Sequence, residues 1–116
     1  MDLIIFFIIG HYIGDYGLQT DRMATKKKES IKYLTYHVLT YTATIVISFL
    51  LYIWLENIRY LPPLSLLIGL IVILFVTHWA QDFVKSRMGP SRQLYYIDQS
   101  LHLLLLMVFR YIIVGI

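Results

Sequence analysis

Cysteine is absent from this 116-residue chain, which excludes disulfides, thiolate metal sites and cysteine nucleophiles. Charge is scarce as well: Asp, Glu, Lys and Arg make up 15% of residues, against about 25% in soluble domains. There is no glycine-rich nucleotide loop, no Gly-x-Ser-x-Gly elbow and no His-Glu-x-x-His, so the commonest phosphate, serine and zinc motifs are missing. Period-two alternation is also lacking, which argues against a β-barrel. The start, Met1-Asp2-Leu3, has no basic region, so the first apolar segment reads as retained rather than cleaved.

What remains is largely apolar. Hydrophobic residues reach 59% and mean hydropathy is +0.68, values that point to an integral membrane protein of one domain. The expected fold is all-α, with four transmembrane helices over about residues 3–22, 31–55, 63–87 and 93–116, forming a single domain over residues 1–116. Pro63 suits a first helical position. Gly89-Pro90-Ser91 suits a stop, a break and a cap. A net charge of +3 on such a chain suits loops lying on anionic lipid better than nucleic acid, and no nucleic-acid partner is expected.

Orientation is read from the cations. Arg22, Lys26, Lys27, Lys28 and Lys32 flank the first connection and Lys85, Arg87 and Arg92 the third, leaving Arg59 and Arg110 for the other side. The positive-inside rule then makes the first and third connections cytoplasmic and puts both termini outside, in a membrane of the bacterial inner-membrane type. Lys26, Lys27 and Lys28 are a topology signal first and candidates for anionic-lipid contact second. Homo-oligomerisation is left open.

The chemistry-bearing residues lie inside the apolar segments. His11 and Asp15, and again His78 and Asp82, follow His-x-x-x-Asp, while Asp98 and His102 reverse it. Residues four apart share one helix face. His37 sits in the second segment, so all four histidines and three of the five aspartates are intramembrane. At about 1.5 Å per residue these groups lie roughly 7–16 Å from the basic helix ends. The halves match: His-x-x-x-Asp, Arg-Met, a basic turn, then a histidine 26 residues on from His11 or 24 on from His78. This short match fits two parallel two-helix repeats with a site between them.

Buried carboxylates need partners, because an intramembrane charge costs at least a few kcal/mol. One partner is the histidine one turn away. Metal explains the whole set better. Two divalent cations would balance three aspartates and a bridging hydroxide, and imidazole with carboxylate suits zinc, manganese, iron or nickel. The expected ligands are His11, His37, His78, His102, Asp15, Asp82 and Asp98, with Asp15, Asp82 and Asp98 also the candidate catalytic carboxylates. Gln19, Arg22, Lys85, Arg87 and Gln99 are candidates for substrate or anion contact, although Lys85 and Arg87 also suit snorkelling. Tyr33, Tyr41, Thr44 and Ser48 lie near the His37 face as hydroxyl donors, and the other tyrosines, with Trp54, suit the interface.

The run Gly10-His11-x-x-Gly14-Asp15-x-x-Leu18-Gln19-Thr20-Asp21-x-Met23-Ala24, with Lys27 or Lys28 beyond, resembles the opening signature of the DUF3307 family. These are small prokaryotic and phage membrane proteins without an assigned function. His37, His78-x-x-x-Asp82-x-x-Lys85-x-Arg87 and Asp98-Gln99-x-x-His102 are similar to that family's later polar positions. The resemblance implies a helical membrane protein and transfers no reaction. Membrane-bound metal-dependent hydrolases are similar in style, with different order and spacing, and remain an analogy. The expected function is metal-dependent hydrolysis of a lipid-like or phosphorylated substrate reached from the cytoplasmic side. The alternatives are a divalent-cation or proton transporter and a b-type haem electron carrier.

Overall fold

A computed structural model describes residues 1–17, 30–88 and 91–115. Of these, 86% are helical and none is in a strand. Helix α1 spans Leu3–Tyr12 and runs on into a π-helical turn, Ile13–Gly17. Helices α2, Ile31–Leu55, α3, Leu64–Arg87, and α4, Arg92–Val114, follow.

The last three helices are long and apolar enough to cross a membrane. Their 25, 24 and 23 residues correspond to about 35–38 Å, more than the roughly 30 Å of hydrocarbon. The first segment differs from the full span expected. Its described part, Leu3–Gly17, is a shorter apolar helix of at most about 22 Å. Its expected extension to Arg22 lies outside the described residues. Gly14, Asp15 and Gly17 make its last turn the least apolar and least helix-favouring part of the run.

The helix ends follow from local chemistry. Asp2 caps α1 by accepting from the Ile4 N–H, and Ser91 caps α4 by accepting from the Leu94 N–H. Pro63 stands just before α3 rather than inside it, because its ψ of 145° is extended. Its carbonyl still accepts from Leu66 and Leu67. In α2, the hydroxyls of Thr35, Thr40, Thr44 and Ser48 each donate to a carbonyl four residues back. These side chains are thereby satisfied without water.

Packing is cyclic. Helix α1 lies against α2 and α4, and α3 lies against the same two. Gly10 and Gly14 let α1 come close to α2: a Cβ on Gly10 would stand 2.3 Å from Ser48 Oγ, and one on Gly14 3.2 Å from the Tyr41 Cα. This is the small-x-x-x-small device by which membrane helices approach. The assembled body measures 44 × 24 × 24 Å.

The interior has two layers. Leu3, Phe7, Ile45, Tyr52, Leu70, Leu74, Leu106 and Phe109 fill the half nearer the chain termini. The half nearer the basic connections is filled by His11, Asp15, His37, His78, Asp82, Asp98, Gln99 and His102, all buried. Leu39, Leu50, Val72, Ile97, Leu104 and Met107 face outward. Apolar side chains outside and ionisable ones inside reverse the arrangement of a water-soluble bundle and suit lipid as the solvent.

At the opposite end, Arg110 forks onto Asp2, with Nε to Oδ1 at 3.0 Å and Nη2 to Oδ2 at 2.6 Å. A third donor, Nη1, reaches the Gly115 carbonyl at 2.7 Å. The Met1 ammonium contacts Glu56 at 2.9 Å. These contacts tie the start of α1 to the ends of α4 and α2.

Candidate metal centre

Four helical segments deliver their polar groups to one layer. His37 is six residues into α2, Asp98 six into α4, and Asp82 five before the end of α3, so each lies roughly 8–9 Å from a helix end. His78 and His102 sit about one turn deeper.

Asp15, His37, His78 and Asp82 form the tightest group. Asp15 Oδ1 is 3.0 Å from His37 Nε2 and 3.6 Å from His78 Nε2. Asp82 Oδ2 is 3.1 Å from His37 Nε2 and 3.4 Å from His78 Nε2. The two Nε2 atoms are 3.4 Å apart. All four residues offer donor atoms within 4.8 Å of one another. A tetrahedral ion with bonds of about 2.0–2.1 Å has donor–donor edges of about 3.3–3.4 Å. The five separations therefore bracket the edge of such a coordination shell. These buried His and Asp side chains could hold a metal ion.

A second group shares Asp82. Asp98 Oδ1 lies 3.2 Å from His102 Nε2, and Asp82 Oδ1 lies 3.9 Å from the same nitrogen. Asp82 therefore turns one oxygen to each group. Among the described residues, Asp82 Oδ2 and His102 Nε2 make no hydrogen bond of good geometry despite these close approaches. His37 Nε2 is hydrogen-bonded to Asp15 Oδ1, so the first group is partly satisfied without an ion, while Asp82 Oδ2 and His102 Nε2 are the atoms placed for a third species.

His11 is placed differently. Its Nε2 is 2.8 Å from Gln99 Oε1 and its Nδ1 2.7 Å from the Tyr41 hydroxyl. The Gln99 amide nitrogen donates to Asp15 Oδ2 and Asp98 Oδ2, each at 3.2 Å. Ionised carboxylates only accept, so the amide nitrogen must face them and its oxygen must face His11. His11 then donates from Nε2 and accepts from Tyr41 at Nδ1. With both ring nitrogens engaged, it holds Gln99, which in turn orients two carboxylates. Fixing a ligand's orientation in this way is a recognised part of metal sites.

The third and fourth segments pair their His and Asp locally, and the first does not. His78 with Asp82, and Asp98 with His102, close on themselves one turn apart. Asp15, which sits inside the π turn, forms no hydrogen bond with His11, whose ring nitrogens are engaged by Gln99 and Tyr41. It reaches His37 and His78 instead. π turns of this kind are frequent at functional sites.

The remaining candidates divide. Lys85 Nζ contacts Asp98 Oδ2 at 3.0 Å. Arg87 lies over the Phe83 ring, 4.4 Å from its centroid. Thr44 and Ser48 bond their own helix, whereas Tyr41 enters the site, its ring stacked on His78 at 3.9 Å. Gln19, Arg22 and the Lys26–Lys28 run lie outside the described residues. Gly10 and Gly14, which set the closeness of α1 and α2, are missing from a reading by ionisable residues alone. Their four-residue spacing is the signal that could have found them. A groove of about 300 Å³ between α3 and α4 has Val84, Met88, Ile97 and Leu101 on its walls and reaches Lys85 and Asp98.

The buried His/Asp layer defines the chain as a helical, membrane-type protein with a candidate metal centre. It belongs to the family described as protein of unknown function (DUF3307), whose model matches residues 3–116. No curated protein and no solved structure matches the chain.

Proposed function

We propose that this is an intramembrane metalloprotein that hydrolyses a lipid-like or phosphorylated substrate. One divalent cation is held by Asp15, His37, His78 and Asp82. The observation that carries the reading is the set of donor separations between 3.0 and 3.6 Å, matched to about 3.3–3.4 Å for a tetrahedral shell. Two imidazoles and two carboxylates suit zinc, manganese, iron or nickel. The same crowding argues against haem, since donors this close leave no slot for a macrocycle between paired histidines.

A divalent cation in this layer would lower to about 7 the pKa of a water bound at a position the protein donors leave open, and would polarise the scissile group. One of Asp15, Asp82 and Asp98 takes the water's proton. The water oxygen then bonds to the phosphorus or acyl carbon, the bond to the leaving oxygen breaks, and that oxygen receives the proton. The groove reaching Lys85 and Asp98 from the outer, apolar face of α3 and α4 supports a substrate with an apolar chain. The site lies nearer the basic connections, which the positive-inside rule assigns to the cytoplasm.

Elemental analysis of detergent-purified protein tests the first step, with about one equivalent of metal expected and loss of it in His78→Ala. Release of a hydrolytic product from phosphorylated or acylated amphiphiles, abolished by chelation, tests the second. Protein that stays metal-free at saturating zinc and manganese overturns the reading. Metal-dependent uptake into vesicles without any product would replace it with transport.

A further inference from the structure

The four-donor centre does not use Asp98 and His102 as ligands. Both are buried, and His102 Nε2 lies within ion-pair distance of Asp98 and Asp82 without a hydrogen bond of good geometry to either among the described residues. Asp98 Oδ1 and Asp82 Oδ1 face that nitrogen at 3.2 and 3.9 Å. One imidazole nitrogen and two carboxylate oxygens therefore converge on one space, joined to the first centre through Asp82. Three protein donors are the usual number around an ion that keeps a position for water, whereas four close a tetrahedral ion.

Charge decides when this space can be filled. With one divalent cation at the first centre, the three aspartates are left one negative charge in excess. Lys85 supplies the missing positive charge, its ammonium 3.0 Å from Asp98 Oδ2. A second divalent cation would overfill the layer unless Lys85 withdrew and an anion, such as hydroxide, came in. Lys85 is able to withdraw. It touches Asp98 on the oxygen turned away from His102, and its side chain is 28% exposed along the groove between α3 and α4.

We propose that Asp82, Asp98 and His102 bind a second, exchangeable divalent cation, whose entry is opposed by the Lys85 ammonium on Asp98. This rests on the metal reading of the first centre. The two ions share the Asp82 carboxylate, and the second one is the ion with a coordination position open to water and substrate. Lys85 thus acts as a monovalent substitute that keeps the carboxylate layer neutral while the second ion is away.

Titration of metal-stripped, detergent-purified protein with manganese and with zinc tests this, comparing the wild type with Lys85→Met, Lys85→Arg and His102→Gln. The wild type should bind one tight and one weaker equivalent. Lys85→Met should tighten the second at least tenfold and leave the first unchanged, while Lys85→Arg should stay close to the wild type. His102→Gln should lose the second equivalent alone, and its tight first equivalent shows that the variant is folded. A single equivalent in both wild type and Lys85→Met, or a second whose affinity ignores all three substitutions, overturns the proposal and leaves the first centre standing. Absence of any bound metal in the wild type overturns the four-donor reading, and this proposal with it.

Discussion

His37 and His78, on different helices and 41 residues apart, bring their Nε2 atoms to 3.4 Å from each other. Two imidazole nitrogens gain little from such an approach alone, since at most one can donate to the other. The approach is held by Asp15 and Asp82, which flank both rings. Protons and a cation compete for the same lone pairs, so metal binding should release protons and weaken as pH falls.

Tyr41→Phe removes only the hydroxyl that donates to His11 Nδ1. A buried acceptor left unpaired costs about 1–3 kcal/mol, so the thermal midpoint in detergent should fall. Metal affinity should also drop, by about tenfold, because His11 holds the Gln99 amide that orients Asp15 and Asp98. An unchanged midpoint together with unchanged affinity would remove Tyr41 from the network.

Gly14→Leu should destabilise more than Gly10→Ala. The Gly14 position faces the Tyr41 backbone at 3.2 Å, whereas Gly10 faces the Ser48 hydroxyl, a group that can be cut away. Overpacking of this kind costs about 1–3 kcal/mol. The double variant Gly10→Ala, Ser48→Ala should recover part of the loss, because the Ser48 Cβ that alanine keeps would still stand 3.0 Å from the new methyl. Equal tolerance at both glycines would mean that α1 and α2 do not depend on this close approach.

Asp2 lies outside the membrane-spanning segments, where the Arg110 guanidinium and the Ile4 N–H lower its pKa from 3.8 to about 2. A depressed carboxylate contributes stability that is complete above its unfolded pKa and is lost as pH falls through the folded value. The contribution should therefore disappear between about pH 4 and pH 2. Thermal midpoints across that interval should slope in the wild type, and the slope should flatten in Arg110→Ala. Parallel curves would show that the pair is idle.

The natural lack of cysteine makes labelling clean. Single cysteines introduced near residues 28 and 90 should resist a membrane-impermeant reagent applied to intact cells. They should react once the cells are opened. Labelling from outside would reverse the proposed orientation.

Much of the site was legible because burying a charge in hydrocarbon is costly wherever the chain goes. Aspartates at 15, 82 and 98 and histidines at 37, 78 and 102 had to face inward, and spacing along each helix put them at a common depth. The charge balance was less legible. Lys85 follows Asp82 on its own helix, yet its partner is Asp98 of α4, so an estimate without Lys85 overstates the need for two cations. The Asp2–Arg110 pair, 108 residues apart, leaves no local mark at all.

The sequence by itself determined an apolar helical chain with its ionisable groups gathered in one layer, because hydropathy and helical rise are local properties. Only the tertiary structure decided which of those groups meet. His11 and His78 have the same local motif, and in the register that aligns His37 with His102, Gln99 and Tyr41 fall opposite Leu34 and Leu106. The polar pair engages both nitrogens of His11, while the apolar pair offers His78 no hydrogen bonds, so its Nε2 is left to Asp15, Asp82 and His37. That difference arises from neighbours on other helices.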